Sequence, residues 1–422
     1  MSSAGVLARV AAARAGIQVE GGMHLPQAVD EALRKIALQP RDRGLATEIA
    51  YGTERWRSLL DFALSPHLRR PIATLEPAVR TLLRQGAYQL LRLSLPAYAV
   101  VNSATEASQS VGAGRARGLV NAVLRRVAEH GTPQLPSDPV VALAIRYAHP
   151  SWLVRRWVDR LGMEDAEALL TENQKTPPLV LRVNRRQTTR DEVLTQLASA
   201  AAVPGLPYAV ELRAAGDVRA LPGWREGRFQ VQDIGAQAVG EAIGPAEHFL
   251  ELACGRGTKT LQQAERQDGE VLGVDLDGRR ILEAEAERAR LQLTARFMTG
   301  DAREAFAVMP AQDTVLLDAP CSALGVVQRR PDVKWRRRAA DLLTSSKLQT
   351  DLLRAALGAC RPGGVVTYAV CSQEPEETVV PVQAILAESL ARLLEDPPPL
   401  AKAQISAGYL LPGMYLAQMQ KR

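Results

Sequence analysis

Two cysteines stand just after apolar runs that have the composition of buried strands. Cys321 lies in VLLDAPCSALG (315–325), and Cys371 lies in GVVTYAVCS (364–372). A free thiol has a pKa of about 8.5, so it needs an electropositive site to react as the thiolate. A nearby lysine, Lys259, could supply that charge. The pattern predicts a nucleophilic thiolate with a second thiol beside it.

A glycine turn and acidic strand ends predict a nucleoside site near these cysteines. Gly255 and Gly257 in LELACGRGTKT (250–260) allow a tight turn before a helix N-terminus. Asp275 can accept from ribose hydroxyls, and Asp301 from an adenine amino group. The motif lacks the GxGxxG form of dinucleotide sites, so an adenosine-bearing cofactor is expected. The candidate cofactor-binding residues are Glu251, Ala253, Cys254, Gly255, Arg256, Gly257, Lys259, Asp275, Arg280, Asp301 and Asp318.

Together, the cysteine pair and the predicted nucleoside site suggest one reaction. A thiolate that adds to C6 of a pyrimidine makes C5 carbanion-like, and C5 can then take a methyl group from a sulfonium donor. The adduct must afterwards lose the C5 proton and expel the thiolate. One cysteine can be the nucleophile while the other assists release.

The surrounding pattern predicts the elements that position these residues. From about residue 233, strand-like and helix-like runs alternate, which is typical of a parallel sheet with helices on both faces. In such sheets ligands bind outside the carboxyl ends of the strands, where both cysteines fall. Before it, residues 149–232 read as a small α+β unit, with a Thr-capped helix in TTRDEVLTQLASA and a strand in AVELRAA (209–215). Residues 1–148 read as helices throughout.

Length and composition narrow the class of protein. A chain of 422 residues suggests about three domains. Val193–Val210, one of its two longest uncharged stretches, contains Pro and Gly, so no membrane span is expected. The four cysteines show no CxxC spacing, which argues against zinc and disulfides. Cys254 and Cys360 are expected to be small core residues, with Cys360 at a helix end. A cytoplasmic monomer without a metal is the simplest expectation.

Basic charge is concentrated at the N-terminus. Residues 1–150 hold 18 Lys and Arg against 11 Asp and Glu, a balance of +7, whereas the whole chain carries +6. This suits contact with phosphates, although a solvated helical surface explains the charge equally well. The segment RRPDVKWRRR (329–338) combines basic residues with a tryptophan, as in surfaces that bind single-stranded nucleic acid. The candidate RNA-binding residues are Arg329, Arg330, Lys334, Trp335 and Arg336.

Longer stretches resemble a known family. DAPCSALGVVQRRPDVKW (318–335) and VTYAVCSQEPEET (366–378) resemble the signature of the NOL1/NOP2/Sun RNA cytosine-5 methyltransferases. Stretches 40–61, 87–106 and 117–128 resemble the NusB-like RNA-binding domain of the family's bacterial small-subunit ribosomal RNA methyltransferases. The resemblance implies an all-α NusB-like domain (1–148), a small α+β, RRM-like connector (149–232) and an α/β doubly wound, Rossmann-like class I methyltransferase domain (233–422).

The resemblance also implies roles. Cys371 would be the nucleophile and Cys321 would help to release the product. Asp318 would hold the polar edge of the base, Lys259 would order the site, and Asp275 and Asp301 would bind S-adenosylmethionine. Small-subunit ribosomal RNA would be the substrate.

The sequence departs from the family at several positions. The family's CAAPGGKT motif reads ACGRGTKT here, with Arg256 for the proline and Thr258 for the second glycine. Ala323 replaces a usual glycine after Cys-Ser.

Two alternatives stay open. A DNA cytosine-5 methyltransferase uses a Pro-Cys cysteine as nucleophile, which would give that role to Cys321 but leave Cys371 and the helical domain unexplained. A non-catalytic RNA-binding assembly factor with a decayed cofactor site is the other, and the unusual glycine motif motivates it.

Overall fold

The structure is a computed structural model that describes residues 3–213, 216–304, 311–396, 398, 400–405 and 407–422. The chain forms two compact units. The first comprises Met1–Thr176 and Val327–Arg337, and the second comprises Pro177–Val326 and Arg338–Arg422. Among the described residues, no helix is long and apolar enough to cross a membrane.

The first unit is helical, as predicted. Its helices are α1 (Ser3–Glu20), α2 (Leu25–Lys35), α3 (Pro40–Arg55), α4 (Arg57–Leu64), α5 (Pro77–Leu91), α6 (Ala97–Ser110), α7 (Arg117–His130), α8 (Pro139–Arg146), α9 (Ser151–Leu161) and α10 (Met163–Gln174). Apolar residues at helical spacing form the core. On α7, for example, Val120, Val123, Leu124 and Val127 are all buried.

Two further helices of the first unit, α9 and α10, follow residue 148, the predicted end of the helical domain. On α9, Leu153, Val154 and Trp157 are buried against the neighbouring helices. The first strand begins only at Leu179. The pattern before it is therefore helical packing, and the unit continues to Thr176.

The second unit begins with the α+β connector. It contains β1 (Leu179–Val183), α11 (Arg190–Gln196), β2 (Ala200–Ala202), β3 (Ala209–Leu212) and β4 (Phe229–Val231). The strands form an antiparallel sheet in the order β2-β3-β1-β4. Thr189 caps α11 through a capping box with Glu192, which confirms the predicted cap. Residues 214 and 215 of the predicted strand AVELRAA lie outside the described residues.

The rest of the second unit is the predicted α/β domain. Its elements are α12 (Ile234–Ala242), β5 (His248–Leu252), α13 (Thr258–Arg266), β6 (Glu270–Asp275), α14 (Gly278–Leu291), β7 (Arg296–Thr299), β8 (Gln312–Asp318), α16 (Ala339–Ala359), β9 (Cys360–Val370), α17 (Val379–Ala387), β10 (Ala391–Leu394), β11 (Ala403–Ile405), β12 (Gly408–Leu411) and β13 (Met414–Lys421). The short α15 (Val333–Arg336) belongs to the first unit.

The sheet is mixed rather than wholly parallel. Its strand order is β7-β6-β5-β8-β9-β13-β12-β11, with β10 also paired to β13. Strands β5 to β9 run parallel, whereas β13 lies antiparallel to β9. Cys360 is the C-cap of α16, at the helix end that the sequence suggested, and it is also the first residue of β9. The carboxyl ends of β5, β6, β8 and β9 thus meet at one edge of the sheet.

Candidate active site

The two predicted cysteines meet at the carboxyl edge of β8 and β9. These strands are parallel neighbours, with Asp318 opposite Ala369, so the residues that follow them emerge side by side. The Sγ atoms of Cys321 and Cys371 lie 3.2 Å apart, and neither cysteine is in a disulfide. The hydrogen bond to Cys371, together with burial, raises the pKa of the Cys321 thiol well above its usual value. The pair therefore favours one thiol and one thiolate.

Lys259 and Asp318 add opposite charges next to the cysteines. Lys259 is the second residue of α13, and its Nζ donates a hydrogen bond to Asp318 Oδ2 at 2.5 Å. Burial lowers the pKa of Lys259, but the charges of Asp318, Glu251 and Cys371 outweigh burial and raise it overall. The ammonium is thus held charged beside the Cys371 sulfur, which is the electropositive environment that a thiolate requires.

Two serines and a buried glutamate connect the cysteine loops. The Glu377 carboxylate accepts from the Ser322 amide at 2.7 Å and from the Ser322 hydroxyl at 2.5 Å. The Ser322 hydroxyl lies 3.4 Å from that of Ser372. Ser322, Ser372 and Glu377 are all buried. Sequence reasoning missed these residues, and the only sequence signal was a serine after each cysteine.

Ala323 extends the cysteine loop in a conformation that favours glycine. Its φ is +63°, in the left-handed region where a Cβ is disfavoured. The next residues, Leu324–Val326, form a 3₁₀ turn, and the Gly325 amide donates to the Cys371 carbonyl at 3.1 Å. The left-handed backbone thus explains why the family usually has glycine at this position, and Ala323 adopts this conformation with some strain.

The glycine turn joins β5 to α13. Gly255 and Gly257 have φ of +58° and +70°, and Gly257 is the N-cap of α13. A Cβ on Gly257 would lie 2.5 Å from the Phe297 ring, whereas one on Gly255 would meet nothing within 4 Å. Asp275 accepts from the Gly255 amide at 2.8 Å and so ties the end of β6 to the turn. The result is an open backbone cradle beside a carboxylate.

Other candidate cofactor residues lie around this turn, but not all of them face outward. Ala253 is partly exposed with φ of +57°. Cys254 is 7% exposed, and burial raises the pKa of its thiol. Glu251 is buried and accepts from the Thr260 hydroxyl, while burial raises its pKa to about 8. Contrary to the sequence prediction, Glu251 supports the turn from inside the domain instead of facing a ligand.

Three charged candidates are engaged with neighbouring side chains. Arg256 is exposed and pairs with Glu283, and Arg280 is exposed and lies 3.7 Å from Asp277. Asp301 accepts from the Arg303 guanidinium and amide, and these hydrogen bonds lower its pKa to about 2. Asp301 is therefore an anion in the structure, and the Arg303 guanidinium is its partner.

The predicted RNA-binding segment contributes instead to the core of the helical unit. Lys334 is 1% exposed, burial lowers the pKa of its amino group well below the usual value, and its Nζ donates to the Arg55 carbonyl at 3.0 Å. The Trp335 indole donates to the Glu54 carbonyl at 2.7 Å.

The flanking arginines of the segment also lie against residues of the helical unit. Arg336 donates to the Met23 carbonyl at 3.0 Å, and Arg330 lies 3.4 Å from the His24 ring. Arg329 is half-buried. Packing inside the helical unit thus engages Lys334, Trp335 and Arg336, which differs from the expected RNA contact.

The fold and the site define the class. A Rossmann-like sheet with an antiparallel strand beside β9, a glycine turn after β5 and reactive side chains at the carboxyl edge describe a methyltransferase domain. Residues 242–414 match the family described as 16S rRNA methyltransferase RsmB/F. Residues 6–129 match the NusB family, and residues 149–219 match the Methyltr_RsmF/B-like ferredoxin-like domain.

Curated relatives extend the match over nearly the whole chain. Ribosomal RNA small subunit methyltransferase B of Pseudomonas putida is 36% identical over 395 residues, covering 90% of this chain and 89% of that protein. The protein of the same name from Vibrio vulnificus is 36% identical and covers 92% of each chain. The one from Escherichia coli is 34% identical and covers 87% of each. The chain belongs to the 16S rRNA methyltransferase RsmB/F family.

Solved structures support the fold. The crystal structure of PH0851 aligns with a TM-score of 0.87 at 22% identity and covers 100% of both chains. A methyltransferase homologue from Pyrococcus horikoshii has a TM-score of 0.58 at 22% identity, covering 68% of this chain and 100% of that one. NSun6 from Pyrococcus horikoshii with SFG has a TM-score of 0.56 at 18% identity, covering 64% and 98%.

Proposed function

We propose that the protein methylates C5 of a cytosine in RNA, with small-subunit ribosomal RNA as the substrate. The observation that carries this proposal is the pair of thiols 3.2 Å apart at the ends of adjacent parallel strands, beside the Lys259–Asp318 ion pair. Curated relatives named for ribosomal RNA small subunit methylation support the substrate. The target cytosine has to leave any base stack to reach the thiols, so an unpaired nucleotide is expected.

The chain's own residues account for the covalent steps. The Cys371 thiolate forms a bond to C6, and the electrons of the C5=C6 bond move to C5. C5 then bonds to the methyl carbon as the bond between that carbon and the donor sulfur breaks, with the electron pair of the broken bond left on the sulfur. Water then removes the C5 proton, the C5=C6 bond re-forms, and the bond between C6 and the Cys371 sulfur breaks. The Cys321 thiol donates its hydrogen bond to the Cys371 sulfur and stabilises the charge that returns to it on release. Asp318 can accept a hydrogen bond from the exocyclic amino group of cytosine.

The methyl donor in this proposal is S-adenosylmethionine, and the residues present fit it. The open space at Gly255, where a Cβ would meet no atom within 4 Å, leaves room for close approach of a ligand to the backbone. Asp275 would hold the ribose and Asp301 the adenine amino group, with Gly255 and Gly257 around them. When bound, this cofactor supplies a methyl group on a positively charged sulfur.

RNA contact is assigned to the exposed face of α7 in the helical unit. Arg117, Asn121 and Arg125 repeat at helical spacing, and Arg115 precedes them. A cleft of about 450 Å³ runs between α6 and α7, lined by Asn102, Thr105, Glu106, Arg117, Gly118, Asn121 and Ala122. No side chain of the described residues forms an ion pair with Arg115, Arg117 or Arg125. Tyr98, 71% exposed, lies one turn before Asn102 and offers a ring for stacking.

Single cysteine substitutions test the reaction. With labelled S-adenosylmethionine and unmethylated small-subunit ribosomal RNA, the wild type is expected to label cytosine C5, and Cys371→Ala to abolish both label and adduct. Cys321→Ala should accumulate a covalent RNA adduct, because release is impaired. Cys360→Ala, at a buried cysteine away from the site, is the matched control. An adduct in Cys371→Ala but not in Cys321→Ala would transfer the nucleophile to Cys321, as in DNA cytosine-5 methyltransferases. RNA binding without any methyl transfer would favour the assembly-factor alternative.

A further inference from the structure

Glu377 is a buried carboxylate that the proposed chemistry does not yet use. It lies in the 3₁₀ turn Pro375–Glu377, shortly after Cys371, and its residue exposure is 0%. Burial of a charged group is costly unless hydrogen bonds compensate for it. Both of its carboxylate oxygens accept from Ser322, one from the amide and one from the hydroxyl. Burial of the Glu377 carboxylate next to the Cys321 loop costs free energy, so we expect this residue to have a function there.

The contacts of Glu377 reach both cysteine loops. Ser322 follows Cys321 directly, and Ser372 follows Cys371 directly. The Ser322 hydroxyl donates to Glu377 and lies 3.4 Å from the Ser372 hydroxyl, while the Glu374 amide donates to Ser372 at 3.2 Å. The Tyr368 hydroxyl of β9 donates to the Glu377 carbonyl at 2.7 Å. The turn that carries Glu377 is therefore fixed to β9 as well as to the loop after β8.

We propose that Glu377 is a positioning residue that keeps the proton of the thiol pair on Cys321, so that Cys371 is the sulfur that attacks. The catalytic part of this inference, that Cys371 is the attacking sulfur, rests on the proposed function. The other part, that the proton stays on Cys321, depends only on the charge beside Cys321 and on the hydrogen bonds to Ser322. A negative charge next to Cys321 disfavours a second negative charge on its sulfur.

The charged groups around the pair act in the same direction. Cys371 and Glu377 both raise the pKa of Cys321, after the hydrogen bond to Cys371 and burial. Tyr368 is a further titratable group beside Cys321. Lys259 faces Cys371 and Asp318. Glu377 thus disfavours a negative charge on the Cys321 sulfur, and Lys259 favours one on the Cys371 sulfur.

Glu377→Gln separates charge from geometry. The amide keeps the size and can still hydrogen-bond Ser322, but it carries no negative charge. Cys321 alkylation by iodoacetamide, followed by mass spectrometry against pH, should shift to lower pH by about one unit, since one unit reflects a modest change of environment. This measurement needs neither RNA nor cofactor, so it stands if the proposed function fails.

In methyl transfer, Glu377→Gln is expected to lower kcat roughly tenfold and leave KM for S-adenosylmethionine unchanged, because a positioned group in proton-coupled steps contributes on this order or more. Glu377→Asp, which keeps the charge, should retain the wild-type alkylation profile of Cys321. Glu376→Gln, in the same turn, is the matched control and should behave as the wild type. Thermal unfolding checks that each variant folds.

The inference is overturned if Glu377→Gln leaves the pH dependence of Cys321 alkylation unchanged. It is also overturned if kcat and cofactor affinity fall together with the melting temperature, which is the signature of a merely structural role. Should Glu377→Gln fail to fold, Ser322→Ala retains the carboxylate. It should keep the alkylation profile of Cys321 but lower kcat, and a wild-type kcat would contradict the positioning role.

Discussion

At the scale of single residues, Glu251 links the glycine turn after β5 to the stability of the domain. Its carboxyl is buried under α13 and accepts from Thr260, and burial raises its pKa from 4.5 to about 8. The folded state therefore binds a proton that the unfolded state releases above pH 4.5. The contribution of Glu251 to stability is greatest below that pH and falls as pH rises towards 8, because the unfolded chain binds fewer protons at this group in that range.

Glu251→Gln should flatten this part of the pH profile, because the amide does not titrate. Thermal unfolding between pH 5 and about 8.5 measures the effect, within the range where side-chain pKa values of buried acids shift. Glu247→Gln, at an exposed position a few residues earlier, should keep the wild-type slope. An unchanged slope in Glu251→Gln would mean that the carboxyl is already ionised in the folded protein.

At the scale of elements, a buried ion pair joins the connector to α13, the helix that follows the glycine turn. Arg182 of β1 and Glu265 of α13 are each 1% exposed and 2.8 Å apart. Arg182 also donates to the Thr258 carbonyl at 3.0 Å, at the first residue of α13. Strand β1 of the connector thus holds α13 in place. Loss of the Arg182–Glu265 ion pair should therefore lower both the stability of the unit and its affinity for the cofactor.

Arg182→Met should destabilise the second unit by about 3–5 kcal/mol, the range for a buried charge left without its partner. Urea unfolding measures this, and calorimetric titration of S-adenosylmethionine should show weaker binding. The control is Arg186→Met, whose pair with Asp268 is largely exposed and should cost less than about 1 kcal/mol. The double variant Arg182→Met/Glu265→Gln should be less destabilised than Arg182→Met, and equal or greater loss would argue against pairing as the cause.

Elements also show what the sequence could and could not predict. Strand ends, the Thr189 cap and the meeting of Cys321 with Cys371 follow from local patterns and from the rule that parallel strands share an edge. The Arg182–Glu265 ion pair could not be predicted from the sequence, because the two residues are distant along the chain and each is an ordinary charged residue in its own element. Glu377 was missed for the same reason, since burial of a carboxylate is decided by tertiary packing.

At the scale of the whole molecule, the chain segment after the Cys321 loop packs differently from what its composition suggests. Residues 327–337 belong to the helical unit. Within that unit Asp332 accepts from the Leu25 amide at 3.3 Å, at the start of α2, and Lys334 is buried. A run of basic residues beside a tryptophan is indistinguishable in sequence from a nucleic-acid surface, and only burial separates the two. The charge that remains accessible in this unit includes the exposed arginines before and along α7.

RNA affinity should therefore depend on α7 and not on Lys334. The triple variant Arg115→Gln/Arg117→Gln/Arg125→Gln is expected to lower the slope of log K against log salt by about 2, because each phosphate contact to a single strand contributes about 0.7. Filter binding to unmethylated small-subunit ribosomal RNA over a range of salt concentrations measures the slope. Lys334→Met, which replaces a lysine buried inside the core, is the control and should leave the slope unchanged. The reverse pattern, a reduced slope in Lys334→Met and none in the triple variant, would return the RNA contact to residues 329–336 and require that segment to leave its place in the helical unit when RNA binds.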